Sequence, residues 1–145
     1  MKQLLLATTL VVFGSAAYAD GMITYDSNDA FEDVTFGLEN AILDQGLVID
    51  HVSHTGEMLE RTRADVGSDV VIFTAADVYS FCSAKLSRKV MEVDPMNVRF
   101  CPYDIFVMQQ PGGKVTVGFR TFPDGEMKEV EALLDTIAKS ALGLD

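Results

Sequence analysis

Two runs of the chain, Val98-Arg99-Phe100-Cys101-Pro102-Tyr103-Asp104-Ile105-Phe106-Val107-Met108-Gln109-Gln110 and Lys114-Val115-Thr116-Val117-Gly118-Phe119-Arg120-Thr121-Phe122, flank the turn Pro111-Gly112-Gly113. Glycine supplies the positive backbone angles of a tight hairpin, so the runs read as antiparallel neighbours. In the second, Val115, Val117 and Phe119 alternate with Thr116, Gly118 and Arg120, giving one buried face and one wet face. The first run is different. With Cys101 toward the core, Tyr103 and Ile105 share its side, while Asp104, Phe106 and Met108 line the other. A strand with large apolar groups on both faces belongs at the centre of a sheet. In a single-layer sheet its second face is a dimer interface or a shallow ligand site, and the dimer interface is preferred.

Working upstream, Val78-Tyr79-Ser80-Phe81-Cys82-Ser83-Ala84-Lys85-Leu86 reads as a helix opening at Ala75-Ala76-Asp77. Its stripe is Val78, Cys82, Leu86, Val90 and Val93, and Pro95 stops it. Val70-Val71-Ile72-Phe73 is continuously β-branched and aromatic, which predicts a central, well-buried strand. Thr55 opens a short helix through Met58, Leu59 and Thr62, closing near Gly67, and Leu47 to His54 reads as a strand of mixed burial. Phe31, Val34, Leu38, Ala41 and Ile42 form one helical stripe, with Asp29 and Glu32 close to a capping box and Gly46 as the terminating glycine. Ile23-Thr24-Tyr25 is a first strand. Downstream, Pro123-Asp124-Gly125 breaks the hairpin, and Met127, Val130, Leu133, Leu134, Ile137 and Ala141 mark a final helix. Meandering strands with helices on one face make a two-layer α+β domain with an antiparallel sheet.

Met1-Lys2-Gln3, the apolar run Leu4 to Phe13 and the close at Ala17-Tyr18-Ala19 have the layout of a secretory signal peptide cleaved after Ala19. The run spans about ten residues, half of what a membrane-crossing helix needs. Residues 20–145 then form one domain, expected in the periplasm or secreted, with no membrane insertion after cleavage. Cleavage removes one lysine and leaves ten basic against 22 acidic side chains, a net charge of −12. Such a surface repels phosphate backbones and anionic lipid, which argues against nucleic-acid and membrane-surface binding.

The pattern resembles the domain of unknown function 302 family. The matching features are Phe31 with the helix ending at Gly46, Leu47-Val48-Ile49, Val70 to Phe73, the segment ending Pro102-Tyr103, and Val115-Thr116-Val117 after the turn. The resemblance covers about Ile23 to Ile137 and implies a TATA-binding-protein-like α+β fold, often dimeric, with no agreed reaction or ligand. Cys82 and Cys101 are additions that the family pattern does not require.

Those two cysteines are the whole supply, 19 positions apart. An even count in an oxidising compartment favours a disulfide, and closing such a loop is worth about 3 kcal/mol in the chain-entropy model. The competing readings are reactive thiols and a metal or haem site. A thioredoxin-like centre needs cysteines two residues apart, which is not the spacing here. Cys101 before Pro102 is a weak signal for thiolate ligation of haem. Copper would draw on Cys101 with Met91, Met108 and His51, although methionines at such spacings are more often core fillers. His51 and His54 in strand geometry point to opposite faces and cannot share an ion. No nucleophile elbow or phosphate loop is present in the sequence, and no catalytic residue is assigned. The expectation is an exported, non-catalytic binding or accessory domain without a cofactor, stapled by one disulfide and dimeric through its sheet face. The alternative is a thiol-dependent redox or metal/haem-handling protein using Cys82 and Cys101.

Overall fold

The computed structural model describes residues 21–144, so the expected signal peptide lies outside the described residues. Five strands, β1 (Met22–Ser27), β2 (Val48–Ser53), β3 (Ala75–Cys82), β4 (Tyr103–Gln109) and β5 (Val115–Arg120), form one antiparallel sheet in the order β1-β5-β4-β3-β2. Among the described residues four α-helices accompany it: α1 (Phe31–Asp44), α2 (Thr55–Thr62), α3 (Ala84–Val93) and α4 (Met127–Ala141). The architecture is the expected α+β arrangement.

The apolar stripes explain the layering. Val34, Leu38, Ala41 and Ile42 of α1 and Val130, Leu134 and Ile137 of α4 are buried against Tyr79, Phe81, Ile105, Val107, Val117 and Phe119 of the sheet. Each such side chain contributes about 1.5–3 kcal/mol by leaving water, before the entropy of ordering is subtracted. The terminating glycine is where the pattern put it, Gly46 having φ 71°. The capping box is not formed. Ala30 occupies the N-cap of α1, and the Asp29 carboxylate instead accepts from the Ser27 hydroxyl at 2.7 Å.

Two segments depart from their predicted form. The stretch read as a helix around Cys82 is strand β3, on which Tyr79 and Phe81 are buried and Cys82 is the last residue. Helix begins only at Ala84, where the Ser83 hydroxyl caps α3 by accepting from the Leu86 amide at 3.3 Å. The stripe Val78, Cys82, Leu86 therefore straddled two elements, and the β preference of Val78, Tyr79 and Phe81 prevailed. The second departure is Val70 to Phe73, which is neither strand nor buried, Val70 being 66% exposed. The reason is a missing partner. β4 pairs with β3 up to Ala75↔Gln109, one more bond joins the Thr74 amide to the Gln109 carbonyl at 2.7 Å, and the hairpin then turns at Pro111. Among the described residues no neighbouring strand extends past Thr74 to bond the segment before it.

Between α3 and β4 the chain makes a 3-10 helix, Pro95–Phe100, started by the Asp94 carboxylate accepting from the Met96 amide at 2.9 Å. Buried Asn97 donates to the Val90 carbonyl at 2.9 Å and ties this helix to the end of α3. That tie fixes where Cys101 emerges.

Candidate functional site

The two cysteines meet at one end of the sheet. Cys82 closes β3, and Cys101 follows the 3-10 helix and precedes Pro102 through a cis peptide bond. The register Phe81↔Tyr103 brings the end of β3 beside the start of β4. Both are free, partly exposed thiols. Burial, followed by the hydrogen bond and charge of the adjoining Cys101 thiol, pushes Cys82 up to about 12. The charge of Asp50 acts in the same direction, and a hydrogen bond from the Tyr103 backbone opposes it. A thiol held protonated to that degree is a poor nucleophile. The Ser87 hydroxyl lies 3.0 Å from the Tyr103 hydroxyl and 3.9 Å from the Cys101 sulfur. Behind them Phe122 packs edge-on to Phe100 and Tyr103.

The other candidate ligands are scattered. Met91, on α3, packs against the hydrophobic core. Met108 sits near the far end of β4, opposite Ala76 and Thr116. Seven residues of extended chain put it about 23 Å from Cys101 along the strand. His51 lies on edge strand β2 opposite Ser80, away from the Met108 end. Met108 therefore cannot share an ion with Cys101. Among the described residues, no three His, Cys, Asp or Glu side chains form a metal-binding group.

A second site was not foreseen. A cleft of about 880 Å³ opens between the start of α1, helix α2 and the start of β3. At its wall His54 Nδ1 lies 2.9 Å from Asp77 Oδ1. The hydrogen bond to Asp77, then its negative charge, raises the His54 pKa above its ordinary 6.5 despite slight desolvation, and Glu57 adds to the effect. Sequence reading missed the pair because Asp77 was assigned to a helix start. The signal was latent in the sheet register, because Ser53↔Val78 places residue 54 against residue 77 one step further on.

A model for the domain of unknown function DUF302 matches residues 23–139. The chain belongs to that family. The structure of the DUF302 domain is similar to the crystal structure of the uncharacterized conserved protein DUF302 from Bacillus stearothermophilus, with a TM-score of 0.62 at 16% identity. The similarity covers 85% of this chain and 96% of that one, and at this identity it speaks for the fold alone. No curated protein matches the DUF302 domain described here.

Proposed function

We propose that this DUF302 protein is an exported, non-catalytic binding or accessory domain, stapled by a Cys82–Cys101 disulfide and acting in the periplasm or outside the cell. The observation that carries the reading is the adjoining thiol pair, with Cys82 held protonated up to about 12. An activated catalytic thiol has its pKa lowered, and here the shift is in the other direction. Adjacency favours bridging, and an oxidant of the exported compartment would accept the two electrons and two protons released. The partly buried Phe106 and Met108 on the uncovered face of the sheet support dimerisation through that face. A thiol-dependent redox role is the second reading, favoured by the partial exposure of both thiols.

Intact mass of the protein recovered from the periplasm, with and without thiol alkylation, tests the staple. The expected result is a mass two protons lower than the dithiol and no alkylation. Two alkylatable thiols on freshly isolated protein would overturn it. The paired Cys82→Ser, Cys101→Ser variant should lose about 3 kcal/mol of stability relative to the oxidised protein. In the reduced protein the sign with pH is fixed. The Cys82 contribution is complete below 9.0, its value when unfolded, and is lost as pH rises toward about 12. The oxidised protein should show no such alkaline loss from these residues.

A further inference from the structure

We propose that the cleft between α1, α2 and β3 binds an organic cation, an amine carried on an apolar body, with Asp77 as its counter-ion. The inference rests on the binding role proposed above and gives it a ligand class. A volume of about 880 Å³ is enough for a small molecule. The cleft owes its shape to Gly56, where a Cβ would fall 2.6 Å from the Ala76 backbone nitrogen. Without that Cβ, α2 lies directly on the start of β3. Phe31 and Phe73 supply an apolar wall, and aromatic faces attract cations as well as hydrocarbon.

The polar groups select the charge. Glu32 enters from α1, Glu57 and Glu60 from α2 and Asp77 from β3. Glu60 is already paired with Arg63 at 2.9 Å, and the cationic side chains of the lining are Arg61 and, when protonated, His54. An anion would be repelled, and a neutral apolar ligand would cover carboxylates without compensation. An amine matches both wall and charge. Asp77 is the group positioned to receive it. Its side chain is only 15% exposed, yet the imidazole that pairs with it is 58% exposed and free to swing into solvent. An incoming ammonium can replace His54 at the carboxylate with little rearrangement.

This competition makes binding pH-dependent. His54 faces Asp77 of β3 and Glu57 of α2, and both favour its protonated form. As pH falls through the raised His54 pKa, the imidazolium holds Asp77 and the amine is displaced. As pH rises the carboxylate becomes available.

Calorimetric titration of the full chain with 2-phenylethylamine and with 3-phenylpropionate, probes of similar size and opposite charge, tests the inference. At about pH 8 the amine should bind at least about tenfold more tightly than the carboxylate, and by about pH 5 that preference should fall about tenfold. Asp77→Asn should abolish the preference. Glu57→Gln, on the exposed side of α2, should weaken amine binding about threefold and covers the case in which Asp77→Asn fails to fold. Equal affinity for the two probes, no binding of either at millimolar concentration, or amine affinity indifferent to Glu57→Gln would overturn it. Failure here leaves the Cys82–Cys101 staple intact, because the mass measurement reads that separately.

Discussion

On the helix-covered face of the sheet Phe81, Ile105, Val107, Val117 and Phe119 are at most 1% exposed, whereas Val78, Asp104, Phe106 and Met108 on the opposite face all keep some solvent contact. The two faces are held by different means. The covered face is stabilised by depth, each side chain meeting others from two helices and neighbouring strands. The uncovered face is stabilised sideways, within the plane of the sheet. Val78 stands opposite Phe106 and Phe106 opposite Gly118, while the Ser80 hydroxyl donates to Asp104 at 2.5 Å and the Thr116 hydroxyl to Asp26 at 2.8 Å. Gly118 is part of this scheme. A Cβ there would come within 2.4 Å of the Phe106 ring, so the ring lies across the glycine and shields its backbone. A face with no helical layer can thus remain ordered by cross-strand pairs alone.

The largest expected effect is on the deep face. Phe81→Ala should cost about 3–5 kcal/mol in denaturant unfolding, because the surrounding helices and strands cannot close the cavity. Gly118→Ala comes next at about 1–3 kcal/mol, the cost of displacing the Phe106 ring and the Thr24 methyl. Combining it with Phe106→Ala should recover most of that loss, and a double-mutant cycle reads the coupling. Phe106→Ala alone should cost about 1 kcal/mol in dilute solution. If it instead costs as much as Phe81→Ala at high protein concentration, the uncovered face is buried against a second copy, which light scattering would show as a doubled mass.

The smallest effect is at the rim of the covered face, where the Tyr25 hydroxyl donates to Asp135 and Lys139 lies 2.7 Å from the same carboxylate. Burial alone would raise the Asp135 pKa, but the hydrogen bonds from Lys139 and Tyr25 outweigh it and hold the group below 3.8. Its contribution is therefore present above that value and lost as pH falls through the lowered one. Asp135→Asn should flatten the acid limb of the stability curve, measured by thermal unfolding below about pH 4.

The same contrast decides how much was legible beforehand. β5 and α4 bury one side cleanly, and their periods of two and 3.6 were read correctly from Val115 to Phe119 and from Met127 to Ala141. β3 carries Val78 on one face and Tyr79 and Phe81 on the other, so its alternation is masked and its apolar residues also fit a helical stripe. Val70 to Phe73 has the composition of a strand, but being a strand requires a neighbour, and the length of β4 settled that from outside the segment. The thiol pair was legible as a pairing of the two available cysteines, not as a position on β3. The His54–Asp77 contact spans 23 residues and depended on the register of β2 with β3, which local sequence does not specify.

The first strand of the described chain hydrogen-bonds to the last. Among the described residues β1 pairs only with β5, from Met22↔Arg120 to Ser27↔Val115. Synthesis runs from the N-terminus, so β1 is made early and must wait until about 90 further residues exist before its neighbour is available, a closure costing about 4 kcal/mol in chain entropy. The sheet therefore cannot be completed until Val115–Arg120 has been made. A product truncated before Val115 would carry Met22–Ser27 with no β5 to receive it.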